Sequence, residues 1–255
     1  QVMIAIKNAK VFTMEEATGV LEKGIVVMEG DTICKVSEKD EIPEGARVID
    51  AEGCMLFPGF IEPHCHMGIT EEKKGREGDD CNETVDPLTP WLRAIDAIHS
   101  MDASFDDAVR AGITAAMIGP GSSNVVGGQF AVLKTKGRRV DDLIVKAPAA
   151  MKVAFGENPK VNYSGQNKSP VTRMSIAGML RRELTEARAY QARKEKAEAA
   201  GEDFEPDFTK ECWLPVLRRQ IPIKAHVHRV DDIFTAIRIA KEFNLMMTLD
   251  HCSEG

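Results

Sequence analysis

Residues 58–66 hold the most informative pattern in this sequence, Pro58-Gly59-Phe60-Ile61-Glu62-Pro63-His64-Cys65-His66. A Pro-Gly turn signal leads into a short strand pattern that ends on two histidines. Because residues i and i+2 of a β-strand point to the same face, the imidazoles of His64 and His66 are expected to converge. Neutral imidazole is the commonest metal-ligating side chain, so the pair predicts half of a zinc site. For such a pair alone, hydrogen-bonded histidines lining a polar pocket are the alternative.

Later histidines favour the metal site over that alternative. His226 and His228 form a second pair at the end of a predicted strand, and His251 ends the following strand. The carboxyl ends of the strands of a parallel barrel lie on one rim, where active sites form. Five histidines on one rim are difficult to explain as core residues. His99 lies in the middle of a helical pattern, and we interpret it as a surface or core residue outside the site.

The pattern of secondary structure changes near the start of this motif. Residues 1–57 contain short apolar and alternating runs separated by turn signals, which predict a small β domain. Residues 58–255 alternate strands with helices, which is typical of a parallel α/β fold. We therefore expect two domains with a boundary at residue 57.

Two helices are predicted with particular clarity. Residues 173–200 are strongly helical and heavily charged, which predicts a solvated outer helix. A second helix connects the strand that ends at His226 to the strand that ends at His251. It is expected to be capped by Asp231 or Asp232 and to stop at Asn244.

Composition excludes several classes of function. The chain has 255 residues, of which 43% are hydrophobic and 29% charged, the balance of a folded globular protein. Lys and Arg number 33 against 40 Asp and Glu, and no basic run is present, so we expect no nucleic-acid partner. No apolar stretch approaches about 18 residues, so no membrane span is expected. The first residues lack the layout of a signal peptide, and six scattered cysteines predict reduced thiols in a cytoplasmic protein.

Together these residues resemble the amidohydrolase superfamily of metal-dependent hydrolases, specifically its imidazolonepropionase-related members. The resemblance runs over nearly all 255 residues and includes the N-terminal β segment and residues 58–66. It continues through residues 119–129, 155–160 and 226–233. The histidine pair after a Pro-Gly-Phe turn is fairly specific, and the later histidines in order and spacing make the resemblance strong.

The resemblance implies a TIM-type (β/α)8 barrel with a small N-terminal β-sandwich domain, an α/β fold. Such a barrel typically takes about 250 residues, and fewer than that follow His66. Residues 58–255 are therefore expected to supply barrel strands 1–6 only. The aspartate at the end of strand 8, which in the family binds metal and takes a proton from the attacking water, has no counterpart here. We expect the chain to lack the C-terminal part of a longer protein.

The family pattern also implies a set of metal ligands. Strand 1 supplies His64 and His66, strand 5 supplies His226 and strand 6 supplies His251. In the family, strand 4 supplies a glutamate or a carboxylated lysine that bridges two metals. Glu157 is the first choice for this ligand because it follows the expected end of the strand, and Lys152 is the alternative.

The remaining site residues are expected to face the substrate. His228 lies two residues after a ligand and is the candidate catalytic acid, with Arg229 beside it for substrate binding. Asn124 and Gln129 lie in a glycine-rich segment near the same rim. For these two, substrate binding and a purely structural turn role are equally open. Strand alternation points the Cys65 and Cys252 thiols away from the histidines, as small buried residues rather than ligands.

The resemblance implies an enzyme, a hydrolase acting on carbon–nitrogen bonds other than peptide bonds. It would cleave a cyclic amide, an amide or an amidine of a small-molecule substrate with a metal-activated water. The cofactor is expected to be one or two divalent ions, with Zn first and Fe, Mn or Ni as alternatives. We also expect a homo-oligomer. A non-catalytic metal-binding or scaffolding fragment, completed by missing residues or a partner chain, is the alternative, and a sugar deacetylase is a further option for which no basic patch is found.

Overall fold

A computed structural model of the chain describes residues 2–39 and 41–255. The chain divides into two compact units, one that ends at Phe60 and one that comprises Ile61–Gly255. The division therefore falls inside the 58–66 motif, slightly later than the boundary at residue 57 that the sequence suggests.

The first unit is a single five-stranded sheet. Its strands are β1 Met3–Phe12, β2 Val20–Glu29, β3 Thr32–Ser37, β4 Arg47–Asp50 and β5 Met55–Leu56. They are arranged in the order β3-β2-β1-β4, with β5 also paired to β1. Strand β2 is antiparallel to both β1 and β3, whereas β4 and β5 run parallel to β1. The described residues of this unit form one sheet, so the second layer of the expected β-sandwich is not confirmed.

The second unit is built on a six-stranded sheet. Its strands are β6 Phe60–Cys65, β7 Ile113–Ile118, β8 Val126–Lys134, β9 Ile144–Ala154, β10 Ile223–Val227 and β11 Met247–His251. They follow one another in the sheet in chain order, from β6 to β11. Strands β9, β10 and β11 are mutually parallel, but β8 is antiparallel to both β7 and β9. The all-parallel sheet expected from the sequence is therefore wrong in this part of the fold.

Strand β8 was expected as a glycine-rich turn segment because Gly127 and Gly128 conceal its pattern. Both residues are glycine for steric reasons, since a Cβ on Gly128 would lie 2.4 Å from the carbonyl oxygen of Leu92. The strand is also buried on both faces, so it lacks the alternation of polar and apolar residues that identifies a half-exposed strand. A nine-residue antiparallel strand thus takes the place of the glycine-rich loop that the sequence predicts.

The helices cover the outside of this sheet. They are α1 Ala103–Arg110, α2 Val140–Leu143, α3 Glu157–Ser164, α4 Arg173–Ala200, α5 Phe208–Glu211, α6 Leu214–Leu217 and α7 Val230–Phe243, with 3-10 turns at Gly75–Gly78 and Ala94–Asp96. The prediction of a helix over residues 173–200 is confirmed. Thr172 caps the start of α4, and Gly201 in the left-handed conformation ends it. One face of α4 is buried, so it is an amphipathic packing helix rather than a purely solvated one.

Helix α7 connects β10 to β11, as the sequence predicts. It stops at Asn244, which adopts the left-handed conformation at φ 55°. Its N-cap is Arg229, so Asp231 and Asp232 lie in the first turn instead of capping it. Acidic residues in a first turn still favour the helix because they face the positive end of its dipole.

The main core of this unit lies between the sheet and helices α4 and α7. It includes Val153 of β9, Leu180 and Leu184 of α4, and Ala236 and Ile239 of α7, all with essentially no solvent exposure. The sheet curls into a nearly closed barrel, because β6 and β11 lie at opposite ends of the strand order and yet their residues touch. Within residues 2–39 and 41–255, no helix has both the length and the apolar character needed to cross a membrane.

Candidate metal centre

Five histidines meet at the carboxyl ends of β6, β10 and β11. His64 lies in β6, and His66 directly follows that strand. His226 lies in β10, and His228 directly follows that strand. His251 is the last residue of β11. The ring centroids of neighbouring members lie 4.7 to 5.2 Å apart. The structure therefore brings together every histidine that the sequence placed on the rim, although the strands that carry them are far apart in the chain.

The hydrogen bonds of the first pair fix which ring nitrogens are free. Nδ1 of His66 lies 2.7 Å from the carbonyl oxygen of Gly119, and Nδ1 of His64 lies 3.1 Å from Oδ2 of Asp250. The carbonyl oxygen only accepts, so Nδ1 of His66 carries its proton. The carboxylate near His64 favours the same tautomer by charge, although this pair lacks hydrogen-bond alignment. Both Nε2 atoms are then left with a lone pair, the state in which imidazole binds a metal.

His226 has the least satisfied side chain of the group. It is buried at 5% exposure, and neither of its ring nitrogens has a hydrogen-bond partner among the described residues. Burial, together with the charge of Lys152, lowers its pKa to about 3. The pKa values of His66 and His251 are also lowered, chiefly by burial. These imidazoles are therefore neutral at neutral pH, as metal ligation requires.

Lys152 lies within the histidine group and Glu157 does not. The side chain of Lys152, on β9, has 0% exposure, and its Nζ has no partner in the described part of the chain. Burial lowers the pKa of Lys152 to about 8. Glu157 is an exposed residue at the start of α3 and makes no hydrogen bond or ion pair with a described residue. The first choice for the strand 4 ligand is thus corrected: β9 ends at Ala154, and Glu157 already belongs to the next helix.

Two further charged residues belong to the site and were not singled out from the sequence. Lys224 of β10 and Asp250 of β11 are buried, and Nζ of Lys224 donates to Oδ1 of Asp250 at 2.7 Å. Burial alone would raise the pKa of Asp250, but its contacts with His64 and Lys224 lower it to about 2. Alternation supplies the missed signal, because Lys224 lies two residues before His226 and shares its face.

His251 enters the group through an unusual backbone conformation. Asp250 pairs with His226 in the parallel register, so strict alternation would turn the adjacent His251 to the other face. His251 instead has a φ of 73°, in the left-handed region that non-glycine residues seldom adopt. This twist places its ring against those of His64, His226 and His228.

His228 lies on the open side of the group. Its Nδ1 is 2.8 Å from the hydroxyl of Ser253, and its ring stacks on that of His251. Arg229 does not point to an open substrate space. Its guanidinium holds Asp231 through two hydrogen bonds of 2.9 and 3.0 Å, across the start of α7. These contacts support a role for Arg229 in the helix start, and its substrate-binding role stays a prediction.

Asn124 and Gln129 bind main-chain atoms of the segment that precedes the 3-10 turn Ala94–Asp96. The amide of Asn124 donates to the carbonyl oxygen of Asp86 at 2.7 Å, and that of Gln129 donates to the carbonyl oxygen of Pro90 at 3.0 Å. Of the two alternatives left open by the sequence, these contacts favour the structural one. Substrate binding by these two residues stays a prediction.

The residues placed outside the site are also outside it in the structure. His99 is exposed, and its Nδ1 lies 2.7 Å from Oε2 of Glu71. Cys65 contacts the carbonyl oxygen of Met117, and Cys252 packs against the main core. Burial raises the pKa of the Cys65 thiol, which further disfavours it as a ligand.

The side chains of this group suit a divalent ion. They are mostly imidazoles, the buried imidazoles are neutral, and several of their nitrogens have no other partner. Both ring nitrogens of His226 and Nζ of Lys152 are buried polar atoms of the group with no hydrogen-bond partner among the described residues. Among the described residues, no three His, Cys, Asp or Glu side chains converge on one point as they stand. The imidazoles pack on one another, mostly edge to face, so binding an ion requires rotation of these rings.

A cavity of about 490 Å³ lies in the second unit, lined mainly by residues 79–83 and 91–97, and no histidine of the group lines it. Pro120 and Gly127 form part of its wall, and a Cβ on Gly127 would lie 3.3 Å from Cγ of Lys152. Trp91 contributes an aromatic surface, and carboxylates line the wall as well. The cavity is large enough for a small organic molecule.

Comparison with known proteins gives relatives of one kind. No family model matches the chain. Amidohydrolase tasK of Hapsidospora irregularis is 30% identical over 96% of this chain, and 5'-deoxyadenosine deaminase of Methanococcoides burtonii is 40% identical over 35% of it. The crystal structure of an amidohydrolase from Thermotoga maritima superposes with a TM-score of 0.92 at 41% identity and covers 98% of this chain.

The chain is shorter than each of these relatives. It spans 29% of the length of the Hapsidospora protein and 19% of the Methanococcoides deaminase. It spans 65% of the Thermotoga structure. The high TM-score therefore applies to a shared portion of that fold.

Proposed function

We propose that this chain, which belongs to the amidohydrolase superfamily, acts as a metal-dependent hydrolase that cleaves carbon–nitrogen bonds of a small molecule. One observation carries the proposal. His226 is buried among four other histidines with both ring nitrogens unpartnered in the described chain, an arrangement that costs free energy unless a ligand is bound there.

The ion is proposed to be held by His64, His66, His226 and His251, with Zn as the first choice and Fe, Mn or Ni as alternatives. When bound, a divalent ion supplies Lewis acidity, which lowers the pKa of a coordinated water and polarises the substrate carbon. The contacts of Nδ1 in His64 and His66 leave Nε2 of each ring as the atom that would donate an electron pair to the ion. No reorganisation of protons is then needed when the ion arrives.

Lys152 replaces Glu157 in this proposal as the ligand from the strand before β10. At a pKa of about 8, an appreciable fraction of its amine is neutral at neutral pH. A neutral amine adds to CO2 with loss of one proton to give an anionic carbamate, which has the oxygen donors that a second ion requires. This chemistry would also give the buried Nζ the partner that it lacks. Labelling with carbon-13 bicarbonate is expected to give a carbamate carbon signal that disappears in Lys152→Met.

His228 is proposed as the acid that protonates the leaving nitrogen. It stands beside the ligands and is open to solvent, so it can exchange protons with water while its ring stays stacked on His251. The hydroxyl of Ser253 holds its Nδ1, which leaves Nε2 for a substrate. His228→Gln is expected to lower kcat by roughly 100-fold or more, with metal content unchanged.

The substrate class is proposed as a cyclic amide, an amide or an amidine. A deaminase attacks an amidine carbon and releases ammonia, and the Methanococcoides relative is named for that chemistry. Ring opening of a cyclic amide releases nothing, so the two can be separated by one assay. Ammonia release from amino-purines and ring opening of lactams, measured on the same preparation, distinguish them.

The first experiment is elemental analysis of protein purified without a metal-affinity step. One or two equivalents of a transition metal are expected, and His64→Ala with His66→Ala is expected to abolish them. His99→Ala is the matched control, because His99 is an exposed histidine paired with Glu71 outside the group. A double variant that keeps its full metal content would overturn the ligand assignment.

A non-catalytic metal-binding or scaffolding role is the rival proposal. It predicts bound metal with no turnover of any C–N substrate until a further chain is added. We also propose a cytoplasmic location, supported by six cysteines that are all free thiols. A homo-oligomer is a separate proposal. Light scattering at several concentrations tests the oligomer directly.

A further inference from the structure

The carboxylate of Asp250 connects two strands at opposite ends of the six-stranded sheet. Its Oδ1 accepts from Nζ of Lys224 at 2.7 Å, and its Oδ2 lies 3.1 Å from Nδ1 of His64. The side chains of Lys224 and Asp250 are 5% and 9% exposed, so the contacts are shielded from water. The two atoms approach as an ion pair without hydrogen-bond alignment, and neither Nδ1 of His64 nor Oδ2 of Asp250 has a hydrogen-bond partner among the described residues.

We propose that Asp250 and Lys224 are positioning residues that fix the ring of His64 for metal binding. A carboxylate oxygen 3.1 Å away repels a nitrogen lone pair and attracts a proton, so the contact favours the ring proton of His64 on Nδ1. Nε2 is then held as the electron-pair donor. The inference rests on the proposed function in one respect, namely that Nε2 is valuable because it binds an ion.

Lys224 selects which oxygen faces the histidine. A carboxylate on its own can rotate and present either oxygen, or it can leave the ring for another donor. With Oδ1 occupied by the ammonium of Lys224, the plane of the group is fixed and Oδ2 remains for His64. The ammonium also compensates the buried negative charge, which otherwise would not be tolerated at this depth.

The sheet register explains why these residues can cooperate. Asp250 is the direct neighbour of His226 in the parallel β10–β11 pair, and Lys224 lies two residues before His226 on the same face. Strand β10 therefore carries the proposed ligand His226 and also Lys224, which orients the carboxylate of Asp250. That carboxylate in turn positions His64. Asp250 is accordingly neither a ligand nor a proton carrier in this proposal.

The other histidine of the first pair provides an internal control. Nδ1 of His66 is held by the main-chain carbonyl of Gly119, which no change at Asp250 or Lys224 removes. His64 and His66 have the same residue type, belong to one segment and differ in what holds Nδ1. A specific effect must therefore appear at His64 and spare His66.

The test uses nitrogen-15 spectra of the imidazoles in the full chain, stripped of metal and kept at mildly alkaline pH. In the unmodified chain, both residues are expected to show the single tautomer with the proton on Nδ1. The double variant Asp250→Ala with Lys224→Met removes the whole ion pair and leaves no buried charge unpaired. In it, His64 is expected to become a mixture of tautomers while His66 is unchanged.

Metal affinity, measured by competition with a chromophoric chelator, is the second readout. The double variant is expected to bind Zn²⁺ roughly 10–100-fold more weakly than the unmodified chain. Asp250→Asn keeps an accepting oxygen near Nδ1, so it is expected to restore the Nδ1 tautomer and most of the affinity. If the double variant does not fold, Asp250→Val with Lys224→Met removes the same ion pair and fills more of the vacated volume.

The outcomes separate this inference from the proposed function. The positioning role is overturned if the His64 tautomer is unchanged in a folded double variant. It is also overturned if Asp250→Asn changes the tautomer of His66 as much as that of His64. If the unmodified chain binds no metal, the proposed function fails, and the tautomer of His64 still decides whether Asp250 and Lys224 orient it. A structural ion pair alone would alter stability and leave both imidazole spectra as they are.

Discussion

Gly119 lies so close to Phe130 that a Cβ on Gly119 would stand 2.2 Å from the ring carbons. The carbonyl oxygen of the same glycine accepts from His66, and the ring of Phe130 is 5.6 Å from that of His64. Phe130 has no solvent exposure, so the ring has no space into which it can retreat. The absence of a side chain at Gly119 is therefore what allows Phe130 and the histidine pair to share this space.

We expect Gly119→Ala to destabilise the chain by about 1–3 kcal/mol, because the added carbon overpacks a rigid core. It should also weaken metal binding by moving the acceptor of His66. Gly178→Ala is the matched control, since Gly178 is inside helix α4 with nothing within 4 Å of a Cβ. That change is expected to raise stability by about 0.5–1 kcal/mol. Urea unfolding measures both, and equal effects of the two variants would contradict the steric argument.

The buried amine of Lys152 predicts an unusual dependence of stability on alkaline pH. The unfolded chain keeps this proton up to the ordinary lysine pKa, whereas the folded chain releases it near a pKa of about 8. Between these values the unfolded chain binds more protons, so the free energy of unfolding rises with pH. Below about pH 8 the protonated side chain lowers stability by about 3 kcal/mol at most.

Lys152→Met should remove this rise and should stabilise the metal-free chain at neutral pH. The measurement is urea unfolding across the alkaline range, with chelator present and CO2 excluded. Lys196→Met changes an exposed lysine of α4 and is the control. A stability rise that persists in Lys152→Met would show that another group causes it.

Asp250 predicts the opposite behaviour in acid. Its pKa in the folded chain is about 2, below that of the unfolded chain, so its contribution to stability is present above about pH 4. That contribution is lost as the pH falls from there through about 2. Asp250→Asn is expected to cost about 3 kcal/mol at neutral pH, since it leaves Lys224 buried without its charge partner. The difference from the unmodified chain should vanish at the acid end.

Acid titration of unfolding by tryptophan fluorescence, with Asp106→Asn as control, checks this. Asp106 forms an exposed ion pair with Lys136, which contributes little to stability. A constant difference between Asp250→Asn and the unmodified chain at every pH would rule out the linkage.

Asn124 predicts a loss of stability without a loss of metal. Its buried amide is engaged by Asp86 and Thr89, and truncation leaves these main-chain and hydroxyl groups without a donor. Asn124→Ala is expected to lower the free energy of unfolding by about 1–3 kcal/mol. Metal content per folded chain should stay constant by elemental analysis. A folded, fully stable Asn124→Ala with altered KM would instead support the substrate-binding role.

The sequence predicts the histidines better than it predicts the charges around them. Strand ends and i, i+2 spacing led to His64, His66, His226 and His251 because these rules are local. Which carboxylate or lysine stands between them depends on register between strands, and the sequence alone does not give it. Glu157 was preferred over Lys152 because the end of β9 was expected later than it occurs, and helix α3 starts at Glu157 itself.

Strand β8 shows the same limit at the level of the fold. Gly127 and Gly128 have the local signature of a turn, and only their packing against Lys152 and Leu92 explains why glycine is required in a strand there. The helices were predicted more accurately, since α4 and the end of α7 depend on caps within a few residues. Short-range signals survive in a single sequence, whereas contacts between distant segments do not.

The contact between β6 and β11 has a consequence for biosynthesis. His64 is synthesised before Asp250, and almost the whole second unit lies between them. A chain emerging from the ribosome therefore carries its first histidine pair long before Asp250 and His251 exist. Closing such a distant contact is slow compared with local helix formation. Metal insertion is therefore expected to follow synthesis of β11, so the rate of metal uptake reports on the folding of this unit.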